Sequence, residues 1–84
     1  MHELSLIKNM LQIVDDVARD NGSKPVEQIT VELSEFGSMD EGHFRFHFEE
    51  ATKGTVWQNV KLDIKNVPFG EEAKLVSVRF KEEI

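Results

Sequence analysis

Between Leu4 and Ala18 the apolar residues fall three and four apart, and beyond residue 28 they fall two apart. That change of period constrains the fold more than any other feature of the chain. Leu4, Ile7, Leu11, Val14 and Ala18 make one helical row, with Leu6, Met10, Ile13 and Val17 beside it. Ser5, Lys8, Asn9, Gln12, Asp15, Asp16, Arg19 and Asp20 fill the rest of the wheel. The pattern predicts an amphipathic helix from Glu3 to about Asp20 with a wide buried face. Asn21-Gly22 is the left-handed stop such a helix needs, and Ser23-Lys24-Pro25 follows as a loop.

Ile29, Val31 and Leu33 then alternate with Thr30, Glu32 and Ser34, the signature of a strand with one wet face. Gly37-Ser38 ends it. A second helix runs from Met39-Asp40-Glu41 to about Thr52, with Phe44, Phe48 and Ala51 as its apolar stripe. Ser38 is the expected N-cap, because Glu41 stands at the capping-box spacing. Lys53-Gly54 closes this helix. Val60, Leu62 and Ile64 alternate with Lys61, Asp63 and Lys65, and Val76, Val78 and Phe80 with Ser77, Arg79 and Lys81. These are two more strands, and the Pro68–Glu72 stretch between them reads as a hairpin loop. The expected fold is α+β in the order helix-strand-helix-strand-strand. A parallel crossover joins the first two strands, the last two are antiparallel, and both helices cover one face of a small mixed sheet.

Eighty-four residues make one domain, over residues 1–84. No apolar run reaches the roughly 18 residues a membrane helix needs, and Asp15 and Asp16 do not fit a signal peptide, so the expected compartment is the cytoplasm and no membrane contact is expected. There is no cysteine, which excludes disulfides, Cys-ligated zinc, iron–sulfur clusters and thiol catalysis. A net charge of −6 with scattered basic residues argues against nucleic acid. No phosphate loop, nucleophilic triad or His-Glu-x-x-His motif is present, and Glu49-Glu50, Glu71-Glu72 and Glu82-Glu83 point apart as neighbours do. The chain is not expected to be an enzyme. Trp57, just ahead of a strand, is expected to pack against the core or sit on a partner surface.

Chemistry gathers instead at Met1-His2-Glu3. With histidine second, the Met1 amine, the His2 backbone nitrogen and the His2 imidazole form one chelating unit. Glu3 supplies a fourth donor through its nitrogen or carboxylate. Such a nitrogen-rich plane suits Cu(II) and Ni(II) better than tetrahedral zinc. Binding would release protons and weaken as pH falls. Methionine ahead of a large residue is expected to be retained, as its amine must be to serve as a ligand. The same residues read equally as an ordinary helix start.

Several stretches resemble the HypA family of nickel metallochaperones: the opening Met1-His2-Glu3-Leu4-Ser5-Leu6, the Val31–Gly37 strand, Ser38-Met39-Asp40, the aromatic Phe44–Phe48 helix with Lys53-Gly54-Thr55, and the strands Val60–Val67 and Leu75–Glu83. The resemblance implies nickel held by Met1, His2 and Glu3, and links Asp40 to that site. Asp40 is then a ligand or an acceptor orienting the His2 ring, or else a carboxylate favoured by the helix dipole alone. It further implies a nickel-insertion GTPase as partner, and a nickel–iron hydrogenase large-subunit precursor or the urease machinery as target. Members of the family insert a zinc domain with two Cys-x-x-Cys pairs between the last two strands. Here residues 68–73 form only a short loop, so no zinc is expected.

His43 and His47 stand one turn apart on the second helix, with Asp40 three residues before His43. They are a candidate second metal site, or surface and packing residues among Phe44, Phe46 and Phe48. The edges of a three-stranded sheet leave room for a homodimer. The rival to nickel delivery is a metal-free adaptor that keeps the fold and docks a protein.

Overall fold

The computed structural model describes residues 2–35, 40–70 and 72–82, with the side chains of His2 and Glu3 left aside. Five elements follow in the expected order: α1 (His2–Asp20), β1 (Val26–Ser34), α2 (Glu41–Thr52), β2 (Lys61–Val67) and β3 (Ala73–Phe80).

In α1 the buried stripe is Ile7, Met10, Leu11 and Val14. Leu4 and Ile13 flank it at 39% and 51% exposure, so the buried face is narrower than the apolar pattern implied. The helix ends in a Schellman arrangement. The Ser23 N–H donates to the Ala18 carbonyl at 2.8 Å and the Gly22 N–H to that of Arg19 at 3.2 Å. Gly22 takes the positive φ of +80° that this ending requires.

For α2 the N-cap is Asp40, not Ser38, which lies outside the described residues. Asp40 has extended backbone angles and its Oδ1 accepts the His43 N–H at 2.8 Å. A carboxylate already in place at the helix mouth satisfies the orphan donor, so the helix begins at Glu41. Phe44 and Phe48 stack with ring centroids 6.4 Å apart and are buried. Buried Thr52 spends its hydroxyl on the Phe48 carbonyl at 2.9 Å, which offsets the cost of removing it from water.

The sheet order is β2-β1-β3, with β1 parallel to β2 and antiparallel to β3. The last two strands therefore form no hairpin, contrary to the reading from sequence. β1 takes the centre because it carries the most deeply buried apolar row, Ile29, Val31 and Leu33. β2 and β3 carry Lys61, Lys65, Lys74 and Arg79 and tolerate the edges. The connection wraps the end of β1, where the Glu35 N–H donates to the Val67 carbonyl at 2.7 Å and the Ser34 N–H to that of Glu72 at 3.3 Å.

The register of β3 also departs from simple alternation. Thr30 pairs with Ser77 and Val31 with Leu75, so Val76 is the extra residue of a bulge. Val76 is 47% exposed, while Ala73, Leu75 and Val78 meet the core. One cluster joins Ile7, Met10, Leu11 and Val14 of α1, Ile29, Val31 and Leu33 of β1, and Phe44 and Phe48 of α2. Both helices thus cover a single face of the sheet, as expected. The other face is polar, with rows such as Lys61–Gln28–Arg79 and Lys65–Glu32–Lys74 across the strands.

Candidate metal centre

The N-terminal motif lies on a helix end. Because α1 begins at His2, the backbone N–H groups of His2 and Glu3 have no carbonyl one turn earlier to bond. They are the amides a metal could claim without breaking the helix. The positive end of the helix dipole there also favours a nitrogen that has lost its proton. Met1 and the side chains of His2 and Glu3 lie outside the described residues.

The two helices run in the same direction. Leu4 and Lys8 of α1 share a groove with His47, Glu50 and Ala51 of α2, while Asp15, Ala18 and Arg19 share one with Val56 and Trp57 beyond α2. Advance along one is matched by advance along the other, so both N-termini lie toward one end of the helical layer. Asp40 stands at that end as the cap of α2.

Asp40 uses both oxygens on one residue. Oδ1 accepts the His43 N–H at 2.8 Å, and Oδ2 lies 3.0 Å from the His43 Nδ1. Both side chains are about 70% exposed, at 69% for His43 and 70% for Asp40. The Asp40 carboxyl is held below its usual value, chiefly by the His43 backbone N–H; desolvation opposes this, and the His43 ring and the Gly42 N–H add to the lowering. It is therefore an anion at every pH at which a neutral histidine can bind a metal. His47 turns away from this pair: its Nδ1 is 3.8 Å from Glu50 Oε1 and its ring meets Phe46 edge-on at 5.4 Å. Among the described residues no three His, Asp or Glu side chains converge on a point where a metal could sit.

The bond between Asp40 and His43 was not anticipated from sequence. Its signal was there: an N-cap aspartate followed three residues later by histidine puts the ring over the cap. The partnership of His47 with Glu50, and the groove shared with Leu4, depend on how the helices pack.

An α+β domain with two helices over one face of a three-stranded mixed sheet defines the structural class. Residues 1–74 match the family model described as "Hydrogenase/urease nickel incorporation, metallochaperone, hypA", and the chain belongs to that HypA family. It is 37% identical over 68 residues to the hydrogenase maturation factor HypA of Acidithiobacillus ferrooxidans, covering 81% of this chain. It is 35% identical over 68 residues to that of Dechloromonas aromatica, again covering 81% of this chain. The chain spans 60% of the length of these curated relatives. The solution structure of the Ni metallochaperone HypA from Helicobacter pylori superposes with a TM-score of 0.79 at 18% identity, covering 96% of this chain and 98% of that one, and so shares the fold. No helix among the described residues is long and apolar enough to cross a membrane.

Proposed function

We propose that this protein binds Ni(II) through Met1, His2 and Glu3 and delivers it, in the cytoplasm, during maturation of nickel–iron hydrogenase or urease. The observation that carries this reading is the position of the motif: the family match starts at residue 1 and α1 starts at His2. The Met1 amine, the His2 amide nitrogen and the His2 imidazole would form two fused chelate rings, with Glu3 completing a plane suited to nickel. Asp40 would serve the site as a ligand or by orienting the His2 ring, releasing His43 Nδ1 as it did so. An ion held at one exposed helix end keeps coordination positions open, so an acceptor can attack and take it by ligand exchange. The expected donor or acceptor is a nickel-insertion GTPase, and the expected target a hydrogenase large-subunit precursor or the urease machinery. A homodimer through the edge of β2 or β3 is compatible with this role.

The test is a nickel titration of untagged protein followed by visible absorption and calorimetry. Wild type is expected to bind one nickel with the absorption of a planar site, more weakly as pH falls. His2→Ala, and a chain extended by one residue before Met1, are expected to lose that site while keeping the circular dichroism of the fold. If all three bind alike, the donors are instead His43 and His47. If none binds, the metal-free adaptor replaces this reading.

A further inference from the structure

At the end of the molecule away from the motif, the C-terminal turn of α1 faces Trp57 across a cleft of about 430 Å³. Val26, Trp57 and Val60, which pack outward from the core, give it apolar walls, and Arg19, Lys24 and Lys81 give it a basic rim. We propose that this cleft docks an acidic peptide segment of a partner protein, one apolar side chain seated against Trp57 and its carboxylates on Lys24 and Lys81.

Charge makes the first argument. The chain carries −6 overall. Yet the charged side chains lining the cleft are three basic and one acidic, and the acid, Asp15, is already taken by Arg19 at 3.1 Å. Arg19 is accounted for by that pair and by its place in the last turn of a helix. Lys24 and Lys81 have no such account: neither forms an ion pair among the described residues.

Construction makes the second. Lys24 belongs to the loop between α1 and β1, and Lys81 follows β3. The Lys81 N–H donates to the Pro25 carbonyl at 2.9 Å, which fixes the two segments side by side. Both lysines therefore line the cleft from adjoining segments that the backbone holds together. Both also line the adjoining depression, together with Phe80, Glu82 and Arg79, the last paired with Glu27 at 2.9 Å. Beside it Val56 is 87% exposed, an apolar side chain with nothing over it. A cleft of this volume with apolar walls takes one side chain as an anchor, and charges at its rim select the partner and speed its approach.

From His2 to the turn at Asp15–Arg19 the helix rises about 20–25 Å at 1.5 Å per residue. A partner held at the cleft therefore leaves the motif uncovered. The inference stands on the cleft alone, whatever the motif binds.

Trp57 is the single tryptophan, so its fluorescence reports on the cleft directly. The probe is a blocked pentapeptide, Asp-Glu-Leu-Glu-Asp, titrated into the full chain at low salt. A saturable change in Trp57 emission is expected, fading as salt rises. Lys24→Glu/Lys81→Glu is expected to bind at least about tenfold more weakly, Lys24→Gln/Lys81→Gln to fall between, and a peptide with glycine for leucine to lose the emission change. Both lysines are exposed, so these variants should keep the circular dichroism of wild type, and the glutamine pair carries the test if the reversed pair does not fold. The nickel titration of each variant should match wild type. No saturable change with the acidic peptide overturns the proposal, as does equal binding by the variants. A lysine-rich peptide or a single-stranded oligonucleotide moving Trp57 as strongly also overturns it. Loss of nickel binding in wild type with the peptide still bound would remove the proposed function and leave the docking site.

Discussion

Asp40 does three jobs with one carboxylate: it caps α2, it holds the His43 ring, and it places a negative charge at the N-terminus of α2. Its folded pKa lies below the ordinary 3.8. A group depressed in this way contributes stability above its unfolded pKa and loses it as pH falls through the folded one. Asp40→Asn keeps an oxygen for the His43 N–H, because asparagine is as good an N-cap, and removes only the charge. Thermal unfolding from pH 7 to pH 2.5 should show wild type slightly more stable than the variant at neutral pH, with the gap closing below the carboxylate range. Parallel curves throughout would mean that the cap works through its hydrogen bond alone. The place of Asp40 at a helix start was legible in the sequence. Its status as the cap was not, because Ser38 offered the commoner motif and only the backbone angles choose between them.

At the scale of elements, the turns and the bulge show where local rules hold and where pairing overrides them. Gly22 was readable because a helix stop is a property of a few adjacent residues. Its φ is +80°, and a Cβ added there meets no atom within 4 Å. Gly22→Ala should therefore lower stability by about 1 kcal/mol through conformation alone, measured by urea unfolding with an unchanged slope. β3 behaves differently. Leu75 packs against the core and Val76 is the exposed bulge residue, the reverse of what the alternation of Val76, Val78 and Phe80 implied. Leu75→Ala should cost about 1–2 kcal/mol, below the range for a fully buried leucine. Val76→Thr should stay within about 0.5 kcal/mol. Equal costs would argue that β3 pairs with β1 in the unbulged register.

Across the whole molecule, the connection between β2 and β3 spans only residues 68–72. Pro68, Phe69 and Gly70 are exposed there. Members of the family are expected to carry a further domain at this point, and the exposed connection is where the fold can accept one. Inserting five Gly/Ser residues after Gly70 doubles the connection and should cost about 0.6 kcal/mol in closure entropy. The melting temperature should fall only slightly. A large loss would mean that the short connection itself holds β2 and β3 on either side of β1. The sequence by itself determined which segments are helices and which are strands, and the stop at Gly22, because each depends on residues within a turn or two of one another. Only the tertiary structure decided that β1 lies between β2 and β3, that Val76 faces out, that both helix N-termini point to one end, and that Lys24, Trp57 and Lys81 meet around one cleft. Those outcomes depend on which distant segments pair and pack, and the free energy of that choice is spread over the whole core, where no local pattern records it.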